Sequence, residues 1–156
     1  MKMYHQFMIG DLLRTPPIAV GMDEARQFAR NYDPLFDRPV PGTPQADIYA
    51  GKMVSPLFVQ MLCLKHIFAD MQVAQAALDG APAFAAPRFP HAVYVYDRLC
   101  VEAEIISKRL RDDMGRVHQR VRAWNQNRDL VMRVSLIWPI RATVDVRPAR
   151  LKRAAV

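Results

Sequence analysis

Cysteine is scarce in this chain, with two among 156 residues. Cys63 and Cys100 sit inside apolar runs 37 positions apart, a spacing that suits neither a zinc site nor a redox pair. Both are expected to be buried free thiols in a reducing compartment. The opening, Met1 to Asp11, lacks the continuous apolar stretch and small-residue cleavage site of a secretory signal, which points to the cytoplasm. No two histidines and a carboxylate stand at metal-ligand spacing, so no metal is expected, and no other cofactor either. Acidic residues are outnumbered, 15 against 22 basic ones, for a net charge of +7. That excess invites a nucleic-acid partner, but helix-turn-helix, zinc-finger and aromatic ribonucleoprotein motifs are missing. The positive charge is spread over Lys108, Arg109, Arg111, Arg116, Arg120 and Arg122 and over a C-terminal tail, which fits a solvated face.

What the chain does have is one long apolar run, Leu57 to Leu78, opened by Ser55-Pro56. Serine is a favoured N-cap and proline a favoured first helical residue, so a helix is expected to start here. The run is apolar on nearly every face (Phe58, Val59, Met61, Leu64, Ile67, Met71), so the helix needs a wrapper. Gln60, Lys65, His66 and Asp70 argue against a membrane span, because ionisable groups are costly near a bilayer centre. The length and 51% hydrophobic content fit a single domain, placed at 1–142, followed by a basic tail at 143–156.

Arg14 to Val20 reads as an extended segment held at a sheet edge by its prolines. Asp23 and Glu24 start a short helix with Ala25, Phe28, Ala29 and Tyr32 on one face, ended at Pro34. A proline-rich loop runs on to Asp47, and Ala81 to Pro90 is expected to be a second such connection. Beyond it the period is that of strands: Val93 to Tyr96, Leu99 to Ile106, a strand with Val117, Val121 and Ala123 on one face, and Leu130 to Ile140. Polar turns at Arg111–Gly115 and Asn125–Asp129 pair them antiparallel. The expectation is an α+β fold, a single hot-dog domain in which a curved antiparallel sheet wraps one long central helix. Its open edge makes a dimer the natural completion.

Several segments resemble the MaoC-like hydratase and dehydratase family, which adds water to, or removes it from, acyl thioesters of coenzyme A or carrier protein. Phe7-Met-Ile-Gly-Asp11 is similar to the family's opening, Phe28 to Asp37 resembles its catalytic loop, and Tyr49 to Pro56 resembles the approach to its central helix. The resemblance runs from about Phe7 to Ile140. It implies an acyl-CoA or acyl carrier protein thioester as substrate, and a homodimer or a heterodimer with another hot-dog subunit. The basic surplus would suit the cofactor's phosphates or an acidic carrier.

The family's chemistry uses Asp-x-Asn-Pro-x-His, the aspartate and histidine both reaching one thioester. The plain register sets Asn31 and Phe36 on those two positions, and neither side chain is a base at neutral pH. A second register, after relatives with Asp-Pro-Gln-Pro-Phe-His, sets Asp33 on the aspartate, Phe36 on the phenylalanine and Asp37 on the histidine, with one residue deleted. Two carboxylates could then divide acid and base duties. At the helix start the family carries a glycine whose N–H meets the thioester oxygen, where this chain has Pro56, which lacks an N–H. The resemblance therefore implies Asp33, Asp37 and Asn31 as catalytic candidates and Ser55, Leu57 and Phe36 as substrate-binding ones. The departures equally admit a non-catalytic acyl-binding subunit of a heteromeric dehydratase. His66, with Asp70 four residues on, is expected to be a satisfied core or interface histidine.

Overall fold

The computed structural model describes residues 1–37, 52–73 and 75–143, without the side chains at 72 and 73. Most of the proline-rich loop and all but the first residue of the basic tail lie outside the described residues. The described helices are α1 (Met22–Tyr32), α2 (Pro34–Asp37) and α3 (Pro56–Val73). The strands are β1 (Leu12–Arg14), β2 (Ile18–Ala19), β3 (Ala83–Arg88), β4 (Arg98–Arg111), β5 (Met114–Trp124) and β6 (Leu130–Arg141).

α3 begins where its sequence signal lies. Val59 N–H bonds the Ser55 carbonyl at 3.1 Å, and Leu57 N–H bonds Ser55 Oγ at 3.1 Å. Pro56 takes the first helical position, where a missing N–H costs nothing. The helix ends at Val73, short of the Leu78 expected from the apolar run. Gln75 adopts a left-handed backbone, φ 49°, and Ala76 N–H reaches back to the Met71 carbonyl at 3.2 Å, closing the last turn. Ala77 N–H then bonds the Lys2 carbonyl at 2.9 Å and Leu78 bridges Ile140. Ala77 is buried and Leu78 exposed, both as extended chain, which hydrophobicity alone does not distinguish from helix.

The sheet is antiparallel in the order β1-β4-β5-β6-β3, with β2 also on β4. Alternate residues point at α3: Leu99, Val101 and Ala103 of β4, Val117 and Val121 of β5, Leu136 and Ile140 of β6 are buried. They meet Val59, Cys63, Leu64 and Ile67 of α3 in one core. Each such large side chain, fully buried, contributes about 1.5–3 kcal/mol. Sheet around helix is the arrangement expected. It is not closed on all sides, since Leu57 and Met61 on α3 are 50% and 53% exposed.

Three further local expectations fail for physical reasons. The connection expected at Ala81 to Pro90 contains β3, paired with β6 across a bulge where Ala86 has φ 47°. Alanine and proline hide the strand signal, and Pro87 is tolerated because β3 is an edge. Val93 to Tyr96 is a turn bearing one bridge, Met53 to Tyr94, and not a strand. Asp97 fixes that turn, its Oδ2 accepting from Tyr94 N–H at 2.9 Å and its Oδ1 from Gln126 Nε2 at 2.7 Å. Cys63 is buried as expected, but Cys100 is exposed. Leu99 and Val101 claim the inward phase of β4, so Cys100 faces out.

The outward face carries a ladder of alternating charge. Arg14 Nε donates to Glu102 at 2.8 Å, Arg120 Nη2 to Glu104 at 2.7 Å, and Arg122 Nη2 lies 3.5 and 3.7 Å from the same two carboxylates. The Arg120 hydrogen bond holds the Glu104 carboxyl below its ordinary value. Three arginines of this face, Arg14, Arg120 and Arg122, are thus interleaved with acid. Among the described residues no helix is long and apolar enough to cross a membrane.

Candidate active site

α1 delivers its C-terminal end to the first turn of α3. Phe28 packs on Phe58 with ring centroids 5.6 Å apart, and on Tyr32 at 5.1 Å. Asp33 N–H closes α1 on the Ala29 carbonyl at 2.9 Å, and Phe36 N–H starts α2 by bonding the Asp33 carbonyl at 3.0 Å. Pro34 resists extending α1, so the chain turns at Asp33 and its carboxylate meets the cap of α3. Ser55 Oγ donates to Asp33 Oδ2 at 2.6 Å while accepting from Leu57 N–H at 3.1 Å. Ser55 is 2% exposed and Asp33 half-buried, so this chain of hydrogen bonds is partly shielded from water.

Beside it lies a cleft of about 260 Å³. Ala25, Arg26, Ala29 and Arg30 of α1, Phe36 and Asp37 of α2, and Ser55 contribute to its walls. Arg30 Nε donates to Asp37 Oδ1 at 3.3 Å.

The structure therefore brings together Asp33, Ser55, Phe36 and Asp37. Leu57 is adjacent, but its N–H is engaged by Ser55 and its side chain is half exposed. Asn31 is exposed and does not line the cleft. Six residues beyond Ala25, it projects about 240° round the axis of α1 from it. Arg26 and Arg30, not among the candidates drawn from the sequence, also line the cleft. Their spacing of one turn beside Ala25 and Ala29 was the available signal.

The other nucleophiles and histidines stand apart. Burial pushes the Cys63 thiol up to about 12, which leaves it inert. His66 is half-buried on α3, and His91 Nδ1 lies 2.9 Å from the Leu130 carbonyl at the start of β6. No group of three metal-ligating side chains occurs among the described residues. A second cleft, about 300 Å³, sits by the other end of α3 and is lined by Lys2, Asp70 and Gln119 among others.

No protein-family model matches this sequence, and no curated protein matches it significantly. Solved structures do. The monoamine oxidase regulatory protein from Archaeoglobus fulgius superposes with a TM-score of 0.73 at 19% identity, over 91% of this chain and 95% of that one. A MaoC-like dehydratase from Rhodospirillum rubrum gives 0.65 at 18% identity, over 95% and 99%. A Mycobacterium tuberculosis protein with a double hot-dog fold gives 0.67 at 14% identity, over 94% of this chain but 46% of that one. These likenesses establish the fold: an α+β hot-dog domain.

Proposed function

We propose that this hot-dog domain is MaoC-like in function and takes an acyl thioester, of coenzyme A or acyl carrier protein, into the cleft at the start of α3. The reaction is addition of water to a 2-enoyl group, its removal from a 3-hydroxyacyl group, or a derived chemistry such as isomerisation or cyclisation. The observation that carries this reading is the convergence of Asp33, Ser55 and Asp37 at the cap of α3. The resemblance of Phe28 to Asp37 to a catalytic loop supports it, as does a MaoC-like dehydratase among the proteins sharing the fold.

Hydration places hydroxide on C3 and a proton on C2. Asp37 takes the proton from water as its oxygen attacks C3, then delivers a proton to C2. Arg30 holds that carboxylate in place. Asp33 is a positioning residue: it accepts the Ser55 hydroxyl proton and so fixes the cap of α3, whose positive dipole end lies beside the thioester. Phe36 shields the acyl group from solvent. Asn31, exposed on the other side of α1, has no step in this scheme.

The partner is a second hot-dog subunit, a copy of this chain or a related one. β3 has one edge unpaired among the described residues, and Leu57 and Met61 offer apolar surface. Nucleic acid and membrane are not among the partners proposed: no nucleic-acid-binding motif accompanies the basic residues, and no helix among the described residues is long and apolar enough to cross a membrane.

The test is water addition to crotonyl-CoA by the purified protein, beside Asp33→Asn and Asp37→Asn. Turnover falling on the order of a hundredfold in Asp37→Asn supports the reading. Turnover unchanged in both variants refutes the carboxylate assignment.

A second reading is a non-catalytic acyl-binding subunit. Pro56, which offers no N–H where the family presents one, favours it, as does the likeness to half of a double hot-dog chain. Turnover that appears only after mixing with a hot-dog subunit carrying an intact Asp and His would select this reading.

A further inference from the structure

The cleft contains more positive charge than the reaction above uses. Arg26 and Arg30 stand one turn apart on α1, flanking Ala25 and Ala29, which are buried and leave a floor of methyl groups. Arg30 is paired with Asp37. Arg26 has neither an ion pair nor a side-chain hydrogen bond among the described residues, though it lines the same cleft as Ser55. Arg26 is itself exposed and shares the lining of a mixed polar and apolar cleft with Val54, Val95 and Phe36, so its guanidinium is open to a ligand there. That setting suits bidentate capture of a carboxylate.

We propose that Arg26 binds a carboxylate carried by the acyl group itself, so that the preferred substrates are monothioesters of dicarboxylic acids. This rests on the acyl-thioester reading and adds the substrate class to it. A phosphate of coenzyme A is the other anion at hand, but its pantetheine arm holds the phosphates far from the thioester. An aliphatic acyl group would leave the guanidinium with water alone as its partner. A terminal carboxylate replaces that water with charge-assisted hydrogen bonds.

The experiment is calorimetric titration of the full chain with glutaryl-CoA, butyryl-CoA and coenzyme A alone, none of which can be hydrated. Wild type is expected to bind glutaryl-CoA about tenfold more tightly than butyryl-CoA. In Arg26→Gln that ratio falls to about one, and in Arg26→Lys part of it returns. Thermal melts confirm that the variants are folded, and the wild-type ratio stands as a test even where they are not. Equal wild-type affinity for the two thioesters overturns the proposal and leaves the acyl-thioester reading intact. Equal weakening of coenzyme A alone by Arg26→Gln assigns the residue to a phosphate and also overturns it. Binding of neither thioester defeats the acyl-thioester reading, and this proposal with it.

Discussion

Ser55 Oγ and Asp33 Oδ2 are 2.6 Å apart, although 22 residues separate them in sequence. The serine caps α3 and the aspartate ends α1, so one hydrogen bond ties the two helices at the place where the cleft begins. Ser55→Ala removes the cap and leaves a half-buried carboxylate without its donor. Stability to urea is expected to fall by about 1–2 kcal/mol. Ser55→Thr, which keeps the hydroxyl, is expected to recover most of it.

A buried polar pair lies further along the sheet. Trp138 Nε1 donates to Gln119 Oε1 at 2.9 Å, and Gln119 is 5% exposed. Gln119→Leu strands the indole N–H in the core, which costs about 1–3 kcal/mol. Urea unfolding followed by tryptophan fluorescence measures the loss, and an unchanged midpoint would mean that the pair contributes nothing net.

The two thiols are expected to differ sharply. Cys100 is exposed and Cys63 is buried with its thiol pushed up to about 12. An aromatic disulfide reagent at neutral pH should label Cys100 in the folded protein and reach Cys63 only after denaturation. Rapid labelling of Cys63 in the native state would show that the centre of α3 opens readily.

Glu104 links stability to pH. Its folded carboxyl lies below its ordinary value because Arg120 donates to it, so folding favours the deprotonated form. The stabilisation is fully present above the unfolded value and disappears as pH falls through the lowered folded value. Glu104→Gln is therefore expected to be slightly less stable than wild type at pH 7, with the gap closing in acid. The effect is small, since the pair is solvated and screened by salt.

Much of the fold was legible because its signals are local. Ser55-Pro56 marks the helix start, Asp23-Glu24 opens α1, and alternating apolar residues in Val117 to Ala123 and Leu130 to Ile140 give strands with their buried face. Pairing across space was not legible. Ala77 and Leu78 leave the helix to bond Lys2 and Ile140, partners that only the folded chain supplies. β3 was hidden by alanine and proline at an edge. Cys100 was misplaced because an apolar neighbourhood in sequence does not fix the phase of a strand.

The site divides in the same way. Asp33, Asp37, Phe36 and Ser55 were legible as candidates from the resemblance, and the α1–α3 packing through Phe28 and Phe58 gathers them. Asn31 was named from the same pattern, yet the turn of α1 points it away. Arg26 is not legible from sequence, since an exposed arginine on an amphipathic helix reads as solvated surface without the cleft beside it.

The most direct measurement is a titration of the isotopically labelled protein with butyryl-CoA, followed by the backbone amide resonances. The account expects shifts concentrated at Ala29, Phe36, Ser55 and Leu57, around the cleft at the cap of α3. Shifts gathered instead at Lys2, Asp70 and Gln119, around the second cleft, or none at millimolar thioester, would contradict it.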